Sequence, residues 1–242
     1  YGYFPKSVGA WWIDSYSLNY LKEKYNIEVA LIVADQTTTD SYGVWGQWFG
    51  VPYYPSKANI LVPADSLKTK QDLVVLQWAQ RDPKRAIGNG PNFSNYSLQA
   101  NDYLEQGLDT NYFKDLVETY LDCSNNVGQV TVGLETGIES YNLGGEYENQ
   151  LEALKKISNL KSVTMNEFAE SFKKINSGII ENSKISLDNS TFEMNLKSRK
   201  LPFTEKEDPK PIEKETPKNL NNNTKENIKE EASKLLESYK GK

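Results

Sequence analysis

The sequence contains no histidine. That removes the side chain that most often serves as a general base near neutral pH and most often ligates a metal. Cysteine is nearly absent too. The single thiol, Cys123, excludes an internal disulfide framework. With no imidazole to activate it, it reads as a structural thiol rather than a nucleophile. No apolar run approaches the roughly 18 residues needed to cross a bilayer, so no segment here reads as a membrane span. Basic charge is also short. Lys and Arg total 28 against 33 Asp and Glu, for a net charge of -5, so no basic face is offered to nucleic acid. The first residue is Tyr1 and no signal-peptide pattern follows it. The chain is therefore expected to start inside a longer precursor, or to be a processed or incomplete product.

What is present is a chain of 242 residues, 38% hydrophobic, enough for one sizeable core. Residues 1–177 alternate short apolar runs with helical patterns. Strands are expected at Val8–Ile13, Glu28–Ala34, Leu73–Ala79, Gln129–Leu134 and Lys161–Val163. Glu28–Ala34 is a continuous apolar run of the kind buried on both faces of a parallel sheet. Helices are expected around Leu18, Leu21 and Tyr25, after Thr110 as N-cap, around Leu151, Leu154 and Ile157, and after Thr164. Thr164-Met165-Asn166-Glu167 reads as a capping box that turns Phe168, Phe172 and Ile175 inward. Alternation of this kind predicts an α/β architecture with mainly parallel strands. Residues 178–203 switch to a period of two around Asp188-Asn189-Ser190 and predict a β-hairpin. Residues 204–242 form a Glu-, Lys-, Pro- and Asn-rich tail, expected to be disordered at first. It ends in an amphipathic helix carrying Ile228, Ala232, Leu235, Leu236 and Tyr239, which either packs back or meets a protein partner.

In α/β folds of this type, sites form at the C-terminal ends of the strands. That rule points to Asp14, to Asp35 with Asp40, to Arg81 with Asp82, and to Glu135. Asp35 and Asp40 flank three threonines; they act as base or nucleophile, bind a hard cation, or simply cap the strand end and a turn. Glu135, set between Gly133 and Gly137, is a candidate general acid, or a group that holds the strand end. The loop 41–55 carries Trp45, Trp48, Tyr53 and Tyr54 among glycines and prolines. Its rings stack on a sugar or fold back over the core. Trp78 is a further candidate for substrate contact, and Trp11 and Trp12 point to opposite faces of their strand. Arg81 pairs with a site carboxylate or makes a structural ion pair at the rim. Lys84–Gln106 reads as a lid-sized loop. Its Gly88-Asn89-Gly90 is too short for a phosphate loop.

The run Tyr3-Phe4-Pro5-Lys6-Ser7-Val8-Gly9-Ala10, a helix, and a strand ending Ala34-Asp35 resemble the later half of polysaccharide deacetylases. These belong to the glycoside hydrolase/deacetylase β/α-barrel group. Val130-Thr131-Val132-Gly133-Leu134-Glu135-Thr136-Gly137 resembles their closing strand, with Glu135 where a histidine often stands. The resemblance covers roughly residues 1–175. It implies a partial or variant (β/α) barrel, a polysaccharide or oligosaccharide partner, and an extracytoplasmic or cell-surface location. The group's Asp pair and His-x-x-x-His zinc ligands would precede Tyr1, so a divalent metal is expected only if an upstream segment supplies ligands; the chain itself carries no cofactor motif. Three functions follow: a glycosidic or acyl hydrolase using paired carboxylates, a non-catalytic carbohydrate-binding surface module, or the back half of a metal-dependent deacetylase.

Overall fold

The computed structural model describes residues 2–10, 13–32, 51–86, 96–122, 127–133, 143–187 and 190–195. The chain divides between Arg199 and Lys200, and everything described belongs to the first unit. Its centre is a three-stranded parallel sheet in the order β1 (Ser7–Ala10), β2 (Val29–Ile32), β3 (Val74–Gln77). Ser7 pairs with Val29, and Val29 with Val74. Strand β2 and the first three residues of β3 are apolar throughout, as expected where both faces are covered. Val29, Ala30, Val74 and Val75 are all buried.

Helix α1 (Ser15–Tyr25) carries the crossover from β1 to β2, buries Leu18 and ends on Asn26 in the left-handed region. On the far side of β3, Tyr53 pairs antiparallel with Val75, its carbonyl accepting from the Val75 N–H at 2.8 Å. Pro52 and Pro55 flank it without N–H groups to donate, which keeps this pairing to an isolated bridge. Helix α6 (Met165–Ile175) packs on β2 and β3. The expected capping box is formed, with Thr164 and Glu167 satisfying each other's backbone N–H. Phe168 and Phe172 face the core; Ile175, expected inward, is 54% exposed because the last turn swings past the sheet. The C-terminal hairpin pairs β4 (Asn182–Leu187) with β5 (Ser190–Asn195), as the alternation predicts.

Other expectations need correction. The long loop after Lys84 contains helix α3 (Ala100–Glu105), preceded by the single turn α2 (Pro83–Ala86). Helix α4 (Thr110–Leu121) is capped by Asp109, whose carboxylate accepts from Asn111 N at 2.9 Å. The Thr110 hydroxyl donates instead to Glu146, at the start of α5 (Glu146–Lys155). The 127–133 and 161–163 segments make no strand ladder among the described residues. A three-stranded parallel sheet with helices is thus the observed α/β core, compatible with part of a barrel.

Charged groups join the elements at the N-terminal ends of the strands. Glu28, just before β2, accepts from Lys22 of α1 at 2.8 Å and from Lys173 of α6. Lys173 also donates to the Asp72 carbonyl, just before β3. Burial works against ionisation of Glu28, but the hydrogen bonds from Lys173 and Lys22 outweigh it and hold the carboxyl below the usual glutamate range. A carboxyl whose folded pKa is depressed stabilises the fold above its unfolded pKa and loses that contribution as pH falls through the folded value. Glu28→Gln is therefore expected to cost about 1–2 kcal/mol at pH 7. The gap to wild type should close as urea titrations move toward pH 3. A gap that stays constant with pH would rule out this account.

Candidate functional site

Apolar residues carry β3 up to Leu76; from Gln77 onward the strand end turns polar while staying buried. Gln77, Gln80, Arg81 and Asp82 are all within 6% of full burial. The ladder to β2 runs one residue past the strand, with Trp78 N–H donating to Ile32 O at 2.9 Å. The chain then turns at Ala79, whose φ of 48° lies in the left-handed region. A non-glycine residue is costly there, of order 1–3 kcal/mol. Beyond the turn, residues 80–82 run antiparallel to 96–98. Leu98 N donates to Gln80 O at 3.1 Å and Asp82 N to Tyr96 O at 2.8 Å.

These two segments bring a polar cluster together. Asp102 on α3 accepts from Arg81 Nη1 at 3.1 Å, from Ser97 Oγ at 2.5 Å and from Gln99 Nε2 at 3.4 Å. Gln99 Oε1 in turn accepts from the Trp78 indole N–H at 2.8 Å. The Gln80 amide reaches the 127–133 segment. Its Nε2 donates to the Gln129 carbonyl and to Gln129 Oε1, and its Oε1 accepts from Thr131 N. Asp82 caps α2 through Lys84 N and Arg85 N, pairs with Arg85 at 2.5 Å, and accepts from Tyr112 at 3.3 Å. Burial, reinforced by the Asp82 charge, raises the Tyr112 phenol well above its ordinary value, so it stays a neutral donor.

The nominated residues thus fall into separate groups. Trp78, Arg81 and Asp82 sit together at the end of β3. Arg81 makes an ion pair with Asp102, and Asp82 is a buried helix cap. Asp14 is the N-cap of α1, accepting from Ser17 N at 2.7 Å, a bond that lowers its pKa. Tyr53 and Tyr54 do not line an aromatic mouth. Both rings are buried; Tyr53 donates to Ile60 O at 2.7 Å, and Tyr54 donates to Asn176 O and packs edge-on against Phe172. Large rings bracketed by Pro52 and Pro55 were better used to fill the core beside β3 than to face water. The space at Gly133 is taken as well, since a Cβ there would overlap the Trp78 indole. Asp35, Asp40, Trp45, Trp48 and Glu135 lie outside the described residues, as do Trp11, Trp12, Cys123 and the 204–242 tail.

Sequence reading missed Gln80, Gln99, Asp102 and Thr131. The available signal was two glutamines, Gln77 and Gln80, breaking an apolar run on either side of Trp78. Two cavities border the helices. One of about 790 Å³ lies between α4 and α5, and one of about 620 Å³ is walled mainly by apolar residues, with Leu76, Val130, Leu154 and Phe168 among them. Of the nominated residues that are described, none lines either cavity. No helix among the described residues is long and apolar enough to cross a membrane.

A family model for DUF3863, a domain of unknown function with a solved structure, matches residues 1–189. The chain belongs to the DUF3863 family. No curated protein matches it. Its fold is similar to the crystal structure of a Parabacteroides distasonis protein provisionally assigned as a glycoside hydrolase/deacetylase. The TM-score is 0.59 and the identity 20%, over 81% of this chain and 51% of that one. The DUF3863 chain thus spans about half the length of that relative. The likeness establishes a related fold. Zinc, the metal of the deacetylases that the sequence resembles, does not fit the donors of this chain. Such sites need imidazole or thiolate ligands, and the chain has no histidine and one cysteine. Among the described residues no three acidic or thiol side chains come together to hold a metal ion.

Proposed function

We propose that this DUF3863 chain binds a carbohydrate at the C-terminal ends of its parallel strands. The observation that carries the reading is the end of β3. There a half-buried Trp78 is held through its indole N–H by Gln99 and through its carbonyl by Gln77, at the edge where α/β folds bind ligands. A π face beside fixed amides suits the C–H face and hydroxyls of a sugar. The fold shared with the P. distasonis protein supports the same class of ligand. On this reading Trp45 and Trp48 are the residues that stack on the sugar, and Asp35, Asp40 and Glu135 are the carboxylates for acid–base hydrolysis of a glycosidic or acyl bond. Such a site belongs outside the cytoplasm, where polysaccharides are met.

One observation favours a second reading, a binding module without turnover. Asp14 and Asp82, the strand-end carboxylates among the described residues, are both committed to helix caps. A single experiment separates the two. Binding to a panel of soluble polysaccharides is measured by affinity electrophoresis, with release of reducing ends and acetate followed in parallel. Catalysis predicts that Glu135→Gln keeps binding and lowers turnover about 10²–10⁴-fold. Binding without turnover in the wild-type protein selects the module. No binding to any member of the panel overturns the carbohydrate reading.

A further inference from the structure

We propose that Gln80 is the positioning residue of the strand-end site: its side-chain amide stands in for a backbone ladder and holds the 127–133 segment against the end of β3. A primary amide offers two N–H donors and one carbonyl acceptor. Gln80 spends all of these on residues two apart in one segment. Nε2 donates to Gln129 O at 3.1 Å and to Gln129 Oε1 at 3.0 Å, and Oε1 accepts from Thr131 N at 3.1 Å. That i, i+2 spacing is the one through which a neighbouring strand pairs its peptide groups. Gln129 Nε2 then reaches Thr131 Oγ1 at 2.5 Å and closes the join.

Burial gives these bonds weight. Gln80 is fully buried, so an amide or carbonyl left unpaired there finds no water. Its own backbone carbonyl accepts from Leu98 N, so one residue ties the end of β3 both to the 96–98 segment and to 127–133. The second contact is steric. Trp78 seats its indole on Gly133, the one residue type that leaves room for it. The link to ligand binding rests on the carbohydrate reading; the join itself rests on the hydrogen bonds.

The test is amide hydrogen exchange at Thr131 in the full chain, corrected for the intrinsic rate. In the wild-type protein this amide, which has no strand ladder, is expected to exchange at least about 10²-fold slower than coil. Gln80→Leu should return it toward the coil rate. Gln80→Met, close in length but with neither donor nor acceptor, should do the same. The Val74 amide, which donates to Glu28 O, reports any general loss of stability and should change less than Thr131. A coil-like rate at Thr131 in the wild type overturns the proposal, as does unchanged protection in Gln80→Leu. If the leucine variant does not fold, Gln80→Met decides, and unchanged protection at Thr131 in it counts against the join. Affinity for whichever panel polysaccharide the wild type binds should fall in the variant that loses protection at Thr131. If the wild type binds none, the carbohydrate reading fails, and exchange at Thr131 still judges Gln80.

Discussion

Replacing Phe172 with alanine is expected to remove about 3–5 kcal/mol of stability. Phe172 is completely buried on the inner face of α6. It stacks on Phe168 at 6.0 Å between ring centroids and meets the Tyr54 ring edge-on at 5.5 Å. Lys70 lies over the other side of Tyr54, 3.7 Å from its centroid, and Tyr54 reaches Asn176 just past the end of the helix. The ring is therefore the shared neighbour through which α6 and the 51–73 segment hold each other beside β3. Tyr54 is held in place by its hydrogen bond to the Asn176 carbonyl, so the hole left by alanine closes only in part. Against a total stability of about 5–15 kcal/mol, that is about a fifth or more. Urea denaturation should show a lower midpoint with an unchanged slope. A loss below about 1 kcal/mol would mean that α6 does not pack on the sheet through this ring.

Asp102→Ala is expected to cost about 3–5 kcal/mol, an effect out of proportion to its size. Alanine takes away the acceptor of Arg81, Ser97 and Gln99 together and leaves the Arg81 guanidinium in a site only 6% exposed. A buried charge that loses an ion-pair partner gives up interaction energy that offset its removal from water. The double variant Arg81→Met with Asp102→Leu should recover much of the loss, because apolar replacement of a buried ion pair is often close to neutral. A double-mutant cycle should therefore give a coupling energy of about 2 kcal/mol or more between the two positions. Simple additivity would show that the pair is solvated in solution. The same cycle bears on function. Asp102 orients Gln99, and Gln99 holds the Trp78 indole, so under the proposed carbohydrate reading Asp102→Ala should weaken binding even in the fraction that remains folded.

How far these features could be read from sequence depends on whether the information is local. Val29–Ile32 and Val74–Leu76 were legible because a stretch of strand buried on both faces is apolar residue after residue. The Thr164–Glu167 box was legible because its two hydrogen bonds close within four residues. The hairpin was legible from alternation alone. The 127–133 segment was not legible in this way. Val130, Thr131 and Val132 have the composition of a strand, but pairing is a property of the neighbour, and the neighbour here offers a glutamine side chain. Tyr53 and Tyr54 mark the same limit. Ring density in a loop is visible in sequence; which side of β3 the loop lies on is not. Asp14 and Asp82 were correctly located at strand ends, yet a carboxylate that caps a helix and one that faces a ligand look alike until the next three residues take on a conformation.

The way the 127–133 segment is attached has a consequence for inheritance. Peptide-to-peptide ladders such as that between β2 and β3 are robust, because every residue except proline supplies the same donor and acceptor. A drifting sequence can change nearly any side chain there and keep the bonds. An attachment made by the amide of Gln80 and the bare α-carbon of Gly133 is encoded in two codons, and one missense change in either severs it. DUF3863 chains that diverge at these two positions would have to rebuild the join by other means, and the region most open to functional change would be the one beyond it.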